Sequence, residues 1–165
     1  MSTLCFTGHR PDKLNGYDPK NNKNLLWALR EEVVGYIEDF KVNTFISGMA
    51  LGIDMWSARI VLKLKEIYPH INLVCAVPCL NHTSKWPEQS RKEWQYIVDR
   101  CDKFIVITEE LYHPYLMQVR NEWMVNNSDY VLAVHDGSEG GTGNCVDYAN
   151  KKKKNVLVLN PNDYK

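Results

Sequence analysis

Asp136-Gly137-Ser138-Glu139-Gly140-Gly141-Thr142-Gly143-Asn144-Cys145-Val146-Asp147 lies between an apolar run over 130–134 and a helix predicted over 145–153. A strand that stops, turns through several glycines and opens a helix is how α/β proteins hold a phosphate. Glycines let the backbone approach the anion, and the free N–H groups of the helix start point at it.

The rest of the chain repeats this strand-then-helix grammar. Upstream, residues 3–7 read as a short buried strand closed by Gly8-His9-Arg10-Pro11, a breaker-rich loop. Leu26, Leu29, Val33, Ile37 and Phe40 recur at three- and four-residue steps, so 24–40 is an amphipathic helix. Strand 42–47 runs into Gly48-Met49-Ala50-Leu51-Gly52-Ile53-Asp54 and a helix to about Ile67 that Pro69 stops. Strand 71–77 ends at Pro78, and Trp86-Pro87 opens a helix to about Asp99, proline being well suited to a first helical turn. Strand 103–108, helix 115–126, strand 129–134 and, after the glycine stretch, strand 156–159 complete the series. Cys101-Asp102-Lys103-Phe104-Ile105-Val106-Ile107 rhymes with Ser128-Asp129-Tyr130-Val131-Leu132-Ala133-Val134, which predicts neighbouring parallel strands built alike. The strands are apolar runs that do not alternate, which implies a mostly parallel sheet of about six strands with helices on both faces. The fold expected is a three-layer, Rossmann-like α/β domain spanning 1–165.

Composition narrows the function classes. The chain has 20 basic and 20 acidic residues and no formal net charge, which argues against duplex nucleic acid as a partner, since that needs a basic face. Five cysteines, an odd number with no Cys-x-x-Cys, read as reduced, apolar side chains in a cytoplasmic protein. The first residues lead straight into a strand-like run, so neither a signal peptide nor a membrane span is expected. The histidines are scattered without a His-x-x-x-His pair, and no metal site is expected. Neither Gly-x-Gly-x-x-Gly, a Walker loop nor a Gly-x-Ser-x-Gly elbow occurs.

Ligands of parallel sheets bind beyond the carboxyl ends of the strands, where four loops converge. Gly8, His9 and Arg10 follow the first strand, and Arg10 offers a fork for phosphate, against the alternative of an ordinary turn with a surface arginine. Ser47, Gly48, Gly52 and Asp54 follow the second. Asp54 either caps the helix or accepts bonds from ribose hydroxyls. Pro78 and Trp86 follow the third, with Trp86 a stacking platform or a core residue. The fourth group joins Arg120 and Asn121 to Asp136, Gly137, Gly140, Gly141, Thr142, Gly143 and Asn144, and the plain alternative for Arg120 is a salt-bridged surface side chain.

Together Phe6-Thr7-Gly8-His9-Arg10-Pro11, Ser47-Gly48-Met49-Ala50-Leu51-Gly52-Ile53-Asp54, Ser84-Lys85-Trp86-Pro87 and Arg120-Asn121-Glu122-Trp123-Met124 with the stretch from Asp129 to Ala149 resemble the YpsA-like (DUF1273) family of the SLOG superfamily. That superfamily is related to the LOG phosphoribohydrolases and to DprA-type Rossmann-like domains. LOG proteins carry an arginine with a methionine four residues on, then Pro-Gly-Gly-x-Gly-Thr-x-x-Glu. Arg120 and Met124 fit the first, and the run from Gly140 to Asp147 fits the second, with Glu139, Asn144 and Asp147 replacing Pro, Thr and the catalytic Glu. The resemblance implies a nucleotide or nucleotide-sugar (NAD- or ADP-ribose-like) small molecule that is sensed or sequestered. Phosphate would lie on Gly140 to Asn144 and Arg10, and ribose near Asp54, Arg120 and Asp147. An N-glycosidase using Arg120 and Asp147, and a regulatory protein with a vestigial site, are the alternatives. No cofactor is expected, and because LOG relatives are dimers, a homo-oligomer is among the expectations.

Overall fold

The computed structural model describes residues 2–165. Six strands alternate with five helices: β1 (Ser2–Gly8), α1 (Lys23–Asp39), β2 (Val42–Ser47), α2 (Ile53–Lys65), β3 (Asn72–Val77), α3 (Glu88–Arg100), β4 (Lys103–Val106), α4 (Tyr115–Asn126), β5 (Tyr130–Val134), α5 (Gly141–Lys151) and β6 (Asn155–Leu159). All strand pairs are parallel, in the order β4-β3-β2-β1-β5-β6. This is the three-layer, Rossmann-like arrangement that the apolar runs predicted.

Successive side chains of a strand point to opposite faces, and the core divides accordingly. Leu4, Phe6, Phe45, Leu73, Leu132 and Val134 pack with Leu29 and Val33 of α1 and with Ile53, Ala58 and Val61 of α2. On the other face Cys5, Ile46, Val74, Ala76 and Val131 pack with Met124 and Val125 of α4 and with Cys145 and Ala149 of α5. The chain first winds outward from β1 to β4, then crosses back to lay β5 on β1's free edge. That reversal puts the later helices on the second face and makes the β1–β5 boundary a topological switch point.

The two rhyming segments are not neighbours, contrary to the sequence reading: β4 is an edge strand beside β3, and β5 lies beside β1. The rhyme has a physical content all the same. The N–H of Asp102 donates to the carbonyl of Leu73 and its carboxylate accepts from the Leu73 N–H at 2.8 Å, while Asp129 makes the same two bonds to Thr3, the second at 2.9 Å. Each aspartate clamps the start of its strand to an adjacent parallel strand, so the motif encodes docking and leaves the partner open. Being at the edge, β4 is also less covered than its apolar sequence suggests, with Phe104 37% exposed.

The chain starts its last helix earlier than the hydrophobic pattern indicated, at Gly141 and not at Cys145. Periodicity registers only where a helix meets the core, whereas the first turn of α5 projects beyond the sheet.

Candidate functional site

At the switch point the loops after β1 and β5 are tied together. The Thr7–Gly8 end of β1 pairs with Ala133–Val134 of β5, and the His9 N–H donates to the Val134 carbonyl at 3.2 Å. The imidazole of His9, 3% exposed, puts Nε2 3.0 Å from the Asp136 N–H, which donates to it, and 2.9 Å from Asp136 Oδ1. Burial lowers the basicity of His9, and Asp136 opposes the shift. The Asp136 carboxyl is held well below its ordinary range by Ser138, through hydroxyl and N–H, and then by His9. The Ser138 N–H bond to Asp136 Oδ1 is 2.9 Å and closes a turn that aims the chain at α5.

Two cations sit on this loop. Arg10 is exposed. Lys13, also exposed, donates from Nζ to Ser138 Oγ at 2.9 Å and to the Glu139 carbonyl at 3.0 Å, fastening the β1 loop to the glycine stretch. Gly140 caps α5 at φ 144°, a backbone state that side chains resist. No side chain caps the helix and no acidic residue occupies its first turn, so its leading N–H groups and dipole remain directed at the crevice. Gly141, Thr142, Gly143 and Asn144 form that turn, and Gly143 lies under the His135 ring. Gly137 is exposed at the tip, at φ 90°.

The loop after β2 forms a second, buried group. Arg120, 2% exposed, reaches from α4 across the second face. Its Nη1 donates to the Gly48 carbonyl, its Nε donates to Asn121 Oδ1 at 2.9 Å, and its Nη2 lies 4.0 Å from Asp54 Oδ2. A Cβ on Gly48 would sit 2.6 Å from the guanidinium, so glycine is what admits the arginine there. Asp54 accepts the Ala50 N–H at 3.3 Å, and Ser47 Oγ donates to the Asp54 carbonyl at 2.7 Å. Burial pushes the Asp54 carboxyl up and the Arg120 guanidinium down in pKa, and each charge counters the shift of the other. The surface arginine and the simple helix cap of the sequence reading are thus one buried ion pair under the loop. Met49 at φ 60° and Gly52 at φ 89° bend this loop back, and the Ile53 N–H donates to the His9 carbonyl at 3.3 Å, joining the two groups.

Asp147 lies elsewhere. It is exposed on α5, and the carboxylate beside Arg120 is that of Asp54. Pro78 is buried, and Trp86 is half-buried against the first-face core with its ring edge-on to His82 at 5.3 Å. A broad groove among α1, α2 and α3, lined by Trp56, Arg59, Tyr96 and Arg100, touches the crevice only at Pro11, Leu51 and Gly52.

Sequence reading missed Lys13, His82 and His135. The 3₁₀ turn Pro11–Lys13 brings the lysine back to the glycine stretch, a placement no local pattern announces. His82 is 8% exposed with Nε2 unpartnered among the described residues, and burial, then Arg120 and Arg10, lowers its pKa to about 3. His135 stands directly before the opening stretch, and its position at a strand's carboxyl end is the signal that could have found it.

The sequence profile of the YspA SLOG family (YpsA) matches residues 4–163. A UPF0398 protein of Halalkalibacterium halodurans is 28% identical over 99% of this chain and 90% of its own length, and one from Bacillus thuringiensis is 28% identical over 94% and 86%. Among solved structures, DNA processing protein A (DprA) of Helicobacter pylori is similar with TM-score 0.67, 19% identity, 98% of this chain and 70% of that one. DprA of Streptococcus pneumoniae is similar with TM-score 0.64, 13% identity, 96% of this chain and 50% of that one, so this chain spans half of that protein. The H. pylori structure is described as showing a single-stranded DNA binding mode. That finding points to nucleic acid and corrects the expectation of a nucleotide-like small molecule as partner with no duplex nucleic acid. A formal charge of zero is a sum over the whole chain, whereas nucleic-acid contact in general depends on local cations. Among the described residues, no helix is long and apolar enough to cross a membrane. Sheet order, the ordered loop motifs and the profile match over nearly the full length agree, and the chain belongs to the YspA SLOG family.

Proposed function

We propose that the crevice at the β1–β5 switch point binds a nucleotide unit carried in single-stranded nucleic acid. The phosphate would rest on the N–H groups of Gly141 to Gly143 with Arg10 and Lys13 beside it, and the sugar would face the loop over Asp54 and Arg120. The observation that carries this reading is the uncapped α5 N-terminus, entered through Gly140, with two exposed cations on the facing loop. Oriented backbone N–H groups and a helix dipole favour a phosphate over other anions of the same charge only when basic side chains complete its coordination, as they can here. The description of the H. pylori neighbour supports the choice of a strand as ligand.

The test is fluorescence anisotropy with a single-stranded oligonucleotide, its duplex, and Arg10→Ala. The strand should bind better than the duplex, and Arg10→Ala should weaken it by about tenfold or more, the worth of a charge-assisted bond. Absence of strand binding, or an unchanged Arg10→Ala, refutes the proposal. Incubation with nucleoside monophosphates is the companion measurement. Free base that disappears in Asp147→Asn would favour N-glycosyl hydrolysis instead.

A further inference from the structure

Beyond nucleotide binding, we infer that His9, His135 and Asp136 form a binding site for one divalent first-row transition ion. One ring nitrogen of each histidine and one carboxylate oxygen lie within 4.8 Å of one another. Donors at ~2.1 Å from a common ion can be at most ~4.2 Å apart, so closing the set needs shifts of less than about 1 Å. One separation, His9 Nε2 to Asp136 Oδ1 at 2.9 Å, is already that of adjacent ligands in an octahedron, ~3.0 Å by the same bond lengths.

A second observation is the bonding left undone. In its neutral form with Nε2 accepting the Asp136 N–H, His9 has no proton to offer Asp136 Oδ1. Two lone-pair donors then face each other at contact distance, an arrangement that a cation relieves. The Nδ1 of His135 is buried and has no hydrogen-bond partner among the described residues, and the two rings stand 5.4 Å apart, tilted by 56°. Two imidazoles with one carboxylate select first-row transition ions over Mg²⁺ or Ca²⁺, and three protein donors leave positions for water or a phosphate oxygen. Lys13 acts against the ion electrostatically, and its tie to Ser138 and the Glu139 carbonyl keeps its charge on the same loop pair as the three ligands. Binding must therefore come from the ligands themselves and not from a general negative field.

Cobalt(II) added to the chelator-treated full chain, without nucleotide, is the test. One equivalent should bind, giving ligand-field absorption and a raised melting temperature, whereas Mg²⁺ at the same concentration should do neither. His135→Gln and Asp136→Asn should each weaken binding by about tenfold or more, at least the loss seen for supporting groups around metal ligands. His70→Gln, a distant histidine, should bind as the unaltered chain does. Because His135 and Asp136 are only partly buried, these variants should stay folded, which circular dichroism checks. No uptake by the unaltered chain, unchanged affinity in both folded variants, or thiolate-to-cobalt absorption marking a cysteine site would each overturn the inference. None of these outcomes bears on strand binding, which is measured without metal.

Discussion

Arg120 carries a charge to a place that water barely reaches, and among the described residues Asp54 is its only acidic partner within ion-pair range. Removing one member of a buried pair strands the other. Arg120→Met should lower unfolding free energy by about 3 kcal/mol in urea titrations, and adding Asp54→Leu should restore much of it. A loss under about 1 kcal/mol for the single variant would show that the pair is not what organises the β2 loop. His82 permits a prediction about pH. Its folded pKa of about 3 lies below its ordinary 6.5, so the unfolded chain takes up a proton that the native chain refuses. The penalty is absent above pH 6.5, grows as pH falls through it, and levels off near pH 3. Between about pH 6 and pH 4, stability should fall by up to about 1.4 kcal/mol per pH unit from this group, and the slope in His82→Gln should be smaller by that amount. Equal slopes in the two proteins would contradict it. Neither behaviour was legible in the sequence, because burial of Arg120 and His82 is created by segments distant from both.

The strand-to-helix turns carry the next level of organisation. Gly52 at φ 89° caps α2, and a Cβ there would lie 2.6 Å from the His9 carbonyl. That contact sits where the Ile53 N–H joins the β1 loop. Gly52→Ala should cost about 2 kcal/mol or more from the backbone state alone and should also displace His9. Thermal unfolding of Gly52→Ala beside Gly35→Ala checks this, since Gly35 has open space at its Cβ and lies inside α1. Gly35→Ala should be neutral or stabilising, and similar losses for both would exclude the contact. Elements themselves were largely readable: Val42–Ser47 and Tyr115–Asn126 have the limits their patterns indicated. The α5 start was not, because Gly140 and Gly141 show no periodicity and matter through backbone geometry.

For the molecule as a whole, basic and acidic residues balance at 20 each. With two exposed cations, Arg10 and Lys13, at the crevice, a bound strand should release few counterions. The slope of log K against log salt should be about −1.5 to −2, as for two or three phosphates at roughly −0.7 each. Anisotropy titrations over a salt series measure it, and a slope beyond about −4 would mean that a larger basic surface, such as the groove containing Arg59 and Arg100, takes the strand instead.

Hydrophobic runs and breakers were enough to establish a parallel α/β sheet with the glycine loops at the carboxyl ends of its strands, because those signals act within one strand or helix. Strand order was beyond them. Asp102 and Asp129 carry the same docking motif, and only the crossover from β4 back to β1 assigns each its neighbour. The opening stretch kept its role at a helix N-terminus, but its partners came from elsewhere: His9 reaches Asp136 across 127 residues, and Gly48 lies 72 residues from Arg120. Contacts of that separation depend on how layers pack, and Asp54, not Asp147, faces Arg120 because α2 enters the buried side of the crevice while Asp147 stays on the solvent side of α5.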